Sequence, residues 1–493
     1  MTSDRQAATA TTPASDPSQH GLQRNAIGLV QSTVIGVASS APGQAMAVSI
    51  GALIVASAYG GAVAVVLMTL PMLAIAYSYH RLNMWEQNCG ASYVWVGRAI
   101  SPYLGFLVGW IMLAGYVLGT ASDIFPIGPS LLGLIGADTS SRWGEVLSGT
   151  ILAGGVTVMA VYGIQLTARF QMLIAGIEYV ILLAFCGIGL YTEFISQPAG
   201  TVHPSWGWLN PSGVGGHGSL VASALVAVYL FAGWDASIYL NEETERPERN
   251  PGKAVIMAVL ILGAFYSLMV LSFQGAAPAS EIGAHSDAAL GYIAHTLVGS
   301  PWDKLMSFAV VLSILGTTQA FLVVTARIAY AMGSDRVLPP VFGRVSPKYR
   351  TPVFGTVLFG TLAVAMLWIY VFSSSVGDAF ATVVGTAGVL YALFYAFTGI
   401  ATSWYHRRLL ARSPKDALTV GVLPLCAAAV LVWVAVKSIA DFDGTAMSTI
   451  VVIGITGLLM MVVAAAVYRS PFFKLRRVAY DPRTGDGIER GLS

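Results

Sequence analysis

Uncharged apolar runs, each about as long as one membrane crossing, follow one another along most of the chain. From Asn25 to His80 there is no Asp, Glu, Lys or Arg. An α-helix needs roughly 20 apolar residues to cross a hydrocarbon core of about 30 Å. That stretch therefore has room for two crossings, parted near Ala58-Tyr59-Gly60-Gly61. Further runs cover 101–124, 146–164, 170–192, 218–241, 253–274, 305–330, 352–373, 379–403, 417–436 and 446–468. The pattern predicts an all-α polytopic membrane protein of twelve helices, here called helices 1 to 12. The runs are continuously apolar, unlike the alternating strands of a β-barrel.

Composition agrees with this solvent. Of 493 residues 56% are apolar and 10% charged, with a mean hydropathy of +0.71, too little charge to cover a soluble globule of this size. With the N-terminus inside, 23 of the 26 Lys and Arg fall on the cytoplasmic side, leaving Arg142, Lys304 and Lys437 outside. The positive-inside rule thus predicts a plasma-membrane protein with both termini cytoplasmic. The net charge of +2 reports orientation and suggests no nucleic-acid partner. Residues 1–23, rich in Ser, Thr, Ala and Pro, read as a disordered cytoplasmic tail, and 469–493 as a basic tail near anionic lipid. Cys89, Cys186 and Cys426 are isolated, without disulfide or zinc spacing. There is no G-x-x-x-x-G-K-[ST] loop and no H-E-x-x-H, and the seven His are scattered. ATP-driven and metal-hydrolytic chemistry lack support, and no cofactor, metal or enzyme activity is expected.

Two interruptions stand out. Helix 1 carries Ser39-Ser40-Ala41-Pro42-Gly43 about halfway along, and helix 6 carries Gly233-Trp234-Asp235. Pro removes a backbone donor and clashes with the preceding turn. In hydrocarbon a helix breaks only where protein or a wet cavity satisfies the freed groups. Breaks at matching places in two halves point to a site between inverted repeats of five helices each. The plainer account is a Pro kink and a Gly that lets helices pack closely.

Three motifs then carry a family resemblance. They are Gly90-Ala91-Ser92-Tyr93-Val94-Trp95 with Gly97-Arg98, Gly105-Phe106 and Gly109-Trp110; Phe231-Ala232-Gly233-Trp234-Asp235 with Glu242-Glu243, Pro247, Asn250-Pro251 and Ala254; and Ala331-Met332-Gly333-Ser334-Asp335-Arg336 through Pro339 with Thr351-Pro352. Over roughly residues 24–405 the chain resembles the amino acid–polyamine–organocation superfamily of secondary transporters. The resemblance implies a five-plus-five core over 24–405, two added helices over 406–468, and alternating access around a central site. It implies substrate contacts at Ser39, Ser40, Ala41, Pro42 and Gly43 and at Phe231, Ala232, Gly233, Trp234 and Asp235. A half-helix starting after Pro42 would turn free N–H groups and a positive dipole end toward a carboxylate. The chain departs from the family in its Ser and Pro at the first break, in Arg81 where many relatives carry Glu, and in Glu178 where some proton-coupled relatives carry Lys.

Glu178 lies about 12 Å along helix 5, inside the hydrocarbon, where an acid either couples to protons or hydrogen-bonds a neighbouring helix. Asp235 can bind an amine, accept a proton, or cap the second half-helix. Trp234 and Phe231 offer faces to a cation, or simply pack. On helix 3, Tyr116, Gly119, Thr120 and Asp123 share one face, with Asp123 toward the outer end. Gly388, Tyr391, Tyr395 and Thr398 form a similar face on helix 10. Ser313, Thr317 and Thr318 on helix 8 could make a sodium site with helix 1 carbonyls, or hydrogen-bond between helices. Glu242, Glu243 and Glu245 with Arg246 and Arg249 could pair across the inner mouth, though solvated surface charge is the commoner meaning. The expectation is an importer of amino acids coupled to H+, with Na+ left open. The alternatives are a polyamine or organic-amine transporter, and a membrane sensor that binds without moving its ligand.

Overall fold

The computed structural model describes residues 21–57, 59–137, 142–210, 223, 226–285, 288–371, 376–480 and 487–489. Most of the N-terminal tail, the start of expected helix 6 and the last residues of the C-terminal tail lie outside the described residues. The chain folds as α1 (Leu29–Ala38), α2 (Pro42–Ser57), α3 (Gly61–Trp85), the short α4 (Ser92–Ala99), α5 (Pro102–Ile124), α6 (Arg142–Tyr162) and α7 (Ile164–Tyr191). After the second break come α8 (Asn250–Phe273), α9 (Lys304–Ser334), α10 (Val353–Val371), α11 (Val376–Tyr405), α12 (Leu423–Ala440) and α13 (Gly444–Val462). The only strands among the described residues are Val478–Tyr480 and Gly487–Glu489, paired antiparallel.

Ten helices among the described residues are long and apolar enough to cross a membrane, α1 and α2 together making one of them. Two of the twelve expected spans are not among these ten. The run at 352–373 gives α10, Val353–Val371, which is not among those ten. The run at 218–241 is not one helix: helical turns end at Leu230, irregular turns follow, and Ala236–Glu243 is a 3-10 helix where an α-helical half was expected. Large apolar side chains such as Ile151, Val180 and Leu459 face outward, where lipid replaces water as the solvent.

α1, α2, the 3-10 helix, α5, α8, α9 and α11 surround the centre of the bundle, where Tyr116, Tyr239, Tyr266, Arg327 and Tyr395 are fully buried. At one end, called the basic end below, the chain closes on itself. The N–H groups of Ala26 and Ile27 donate to the Glu243 carbonyl (2.7 and 3.3 Å), and Glu245 N–H donates to Ile27 O at 2.9 Å. The segment after residue 469 is not bare chain either. Phe472 stacks on Tyr93 with ring centres 4.4 Å apart, over the bare Cα of Gly97, and Ser470 Oγ donates to Asp335 O at 2.6 Å. Apolar Phe472 and Phe473 within an otherwise basic stretch are what dock it.

Candidate functional site

Each break leaves backbone groups that must find partners, because a buried unpaired amide is costly. In helix 1 the chain passes through Ala41 with φ +43°, a left-handed conformation that costs a non-glycine residue about 1–3 kcal/mol. Ala41 N–H and Thr317 Oγ1 both donate to Ala38 O (3.1 and 3.0 Å), and Tyr266 Oη donates to Ser40 O at 2.8 Å. Ser39 Oγ turns back on Ile35 O at 2.6 Å. In helix 6 Gly233 has φ +93°, and a Cβ there would lie 2.4 Å from the Ser39 carbonyl oxygen. Only glycine fits, and the two breaks therefore touch at Ser39 and Gly233.

The start of α2 is already occupied from within. Pro42 has no N–H to give, and Gly43 N–H is shared between Glu178 Oε1 (3.0 Å) and Ser313 Oγ (3.1 Å). Glu178, 2% exposed, thus reaches from α7 to the positive end of the α2 dipole. Of the three helix 8 hydroxyls, Ser313 serves Gly43, Thr317 also donates to Ser313 O at 3.0 Å, and Thr318 Oγ1 has no partner among the described residues.

On the basic side of the breaks, Asp235 sits in a cage of three phenols. Tyr116 and Tyr395 donate to Oδ1 (2.8 and 2.6 Å) and Tyr239 to Oδ2 (2.5 Å). The side-chain cap expected of Asp235 does not form, because the tyrosines take both of its oxygens. Trp234 lies beneath, 5.2 Å from Tyr79 and 5.1 Å from Tyr395. Phe231 packs edge-on against Tyr266. Thr398 donates to Ser92 Oγ, which donates to Tyr79 Oη, tying α11 and α4 into the same layer. Farther toward the basic end, Arg327 of α9 holds Glu243 by two bonds of 3.0 and 3.1 Å, both side chains fully buried. Glu243 thus pairs with neither Arg246 nor Arg249 of its own loop.

On the other side lies a small cavity of about 30 Å³, lined by Ser39, Ser40, Ala41, Gln44, Gly119, Asp123, Ala232, Thr317, Phe321, Gly388 and Tyr391 among others. It has room for water and not for a solute, so this conformer is closed around it. Its polar groups are left open: Ser40 Oγ, both ends of the Gln44 amide, Asp123 Oδ2 and Tyr391 Oη have no hydrogen-bond partner among the described residues. A second cavity of about 320 Å³ adjoins it, sharing Tyr229 and Gly388, with largely apolar walls from Val48, Val389 and Val434. A third, of about 530 Å³, lies at the basic end between Arg24, Gln87, Glu242 and Tyr330 and shares no wall with the first.

The structure brings Ser39, Ser40, Ala41 and Ala232 to the small cavity together with Asp123, and places Tyr116 and Asp235 in the layer behind it. Glu178 and Ser313 lie on the far side of the α2 start. Sequence reasoning missed Gln44, Phe321, Tyr239 and Tyr79. It also missed Arg327, which the pattern does flag as a lone cation in an apolar run.

The family model described as amino acid permease matches residues 23–458. The low-affinity putrescine importer of Escherichia coli (strain K12) is 25% identical over 363 residues, covering 73% of this chain and 76% of that protein. An arginine/ornithine antiporter of Latilactobacillus sakei is 26% identical over 371 residues, 74% of this chain and 76% of its own. A methylthioribose transporter of Bacillus subtilis (strain 168) is 24% identical over 316 residues, 60% and 65% respectively.

Proposed function

The chain belongs to the amino acid permease family, within the amino acid–polyamine–organocation superfamily, and from that premise we propose that it imports a small amine-bearing solute, an amino acid or an organic amine, across the plasma membrane by alternating access. Proton coupling runs through Glu178, and both termini face the cytoplasm. The observation that carries this reading is the meeting of two interrupted helices at Ser39 and Gly233 beside a cavity with unpaired polar walls. Lipid tolerates open backbone only where protein or a wet passage receives it. The names of the relatives, importers or antiporters of putrescine and of arginine and ornithine, support an amine-bearing cargo.

Glu178 is suited to coupling because its carboxylate is bound to a moving part. Loaded with a proton, it can accept from Gly43 N–H only as a neutral carbonyl, a weaker bond that loosens α2 from α7. Ionised, it binds the helix start by a charge-assisted hydrogen bond. A proton taken up from one side and released to the other would then be tied to the position of α2.

The test is uptake of radiolabelled amino acids and amines into proteoliposomes with and without an inward proton gradient. Accumulation that follows the gradient is expected, and binding without accumulation would mean a sensor. Glu178→Gln is expected to lose gradient-driven uptake while keeping exchange of labelled for unlabelled solute. Uptake by that variant at the native rate would remove Glu178 from the coupling step.

A further inference from the structure

Resting on the transport reading above, we propose that Asp123, with Gln44 and Ser40 beside it, forms the subsite that holds a cationic nitrogen of the cargo, and that this cargo is an aliphatic amine without a carboxylate.

The first observation is a set of open polar groups around one carboxylate. Asp123 is 5% exposed and lines the small cavity with Oδ2 unpartnered. Gln44 lies beside it at 2% exposure, its amide within reach of the Asp123 carboxylate, and Ser40 at 4% with its hydroxyl unpaired. Buried polar atoms in native proteins are nearly always paired, so a cluster of exceptions around one cavity calls for a visiting partner. The partner's charge follows from the walls. Among the described residues no Lys, Arg or His lines this cavity, and Phe321 and Tyr391 add ring faces. A carboxylate, an amide oxygen, a hydroxyl and two rings are the surroundings of an ammonium, which supplies only donors.

The second observation removes the carboxylate from the cargo. In a transporter of this architecture a zwitterion would place its carboxylate on the amides that begin α2. Here Ala41 N–H is spent on Ala38 O, Pro42 has none, and Gly43 N–H is shared by Glu178 and Ser313. A cargo carboxylate would find no free amide at these three positions and would meet the Asp123 carboxylate in the cavity. An amine lacking that group meets neither obstacle. Its methylene chain would lie along the apolar walls that begin at Tyr229 and Gly388.

Putrescine and ornithine differ by one carboxylate and so isolate the point. We expect proteoliposomes to take up radiolabelled putrescine, with unlabelled ornithine competing at least about tenfold more weakly than unlabelled putrescine, the ratio one charge-assisted hydrogen bond supplies. Asp123→Asn is expected to raise the KM for putrescine by about tenfold or more, with kcat less affected. Gln44→Leu, which removes the amide beside Asp123, is expected to raise KM in the same direction and carries the test if the Asp123 variant does not fold. Uptake of ornithine as efficient as that of putrescine, or a KM within about twofold of native in whichever variant folds, would overturn this inference and leave the transport reading standing. No accumulation of any amine or amino acid would instead overturn the transport reading itself.

Discussion

Asp235 and Asp123 are two buried acids on either side of one small cavity, and their surroundings differ in kind. Three phenols saturate Asp235, and the next layer toward the basic end adds a bidentate ion pair between Arg327 and Glu243. Around Asp123 one carboxylate oxygen and the hydroxyls of Ser40 and Tyr391 are left without partners, and Tyr229 and Gly388 line both this cavity and the one of about 320 Å³. A saturated acid is part of the scaffold, because every partner gained is already in place in the empty protein. An unsaturated one holds stability in reserve for a ligand.

Stability measurements test the contrast directly. The largest effect is expected from Arg327→Met, which leaves Glu243 buried and unpaired and should destabilise the fold by about 3–5 kcal/mol. Thermal unfolding in detergent reads this, and adding Glu243→Gln should recover part of the loss. Asp235→Asn comes next: it removes the charge from three hydrogen bonds and should lower stability by about 1.5–3 kcal/mol. Tyr239→Phe deletes one bond of the cage and should cost about 1 kcal/mol. Smallest of all is Asp123→Asn, expected within about 0.5 kcal/mol of native in the absence of cargo. An Asp123 variant as unstable as the Asp235 variant would break the comparison, since both acids would then be scaffold.

Much of the architecture was legible in the chain. The apolar runs predicted the helices, and Pro42 and Gly233 marked the breaks, since lipid penalises loose backbone wherever it occurs. The misreadings were local. Helix 6 was taken as a crossing of two α-helical halves, but hydropathy cannot distinguish an α-helix from the 3-10 turns of Ala236–Glu243. That Gly119 and Asp123 share one face of their helix was likewise readable from helical spacing, as was the presence of an acid at the second break.

What the sequence determined by itself is therefore the solvent, the helical class and the places where helices must stop, because these follow from short-range pattern and the chemistry of the bilayer. Which acid is saturated and which is open was decided only by the tertiary structure. Tyr116 and Tyr395 reach Asp235 across 119 and 160 positions, Arg327 reaches Glu243 across 84, and Gly43 meets Glu178 across 135. Partnership at such separations depends on how helices are laid side by side, and no local pattern of residues records that.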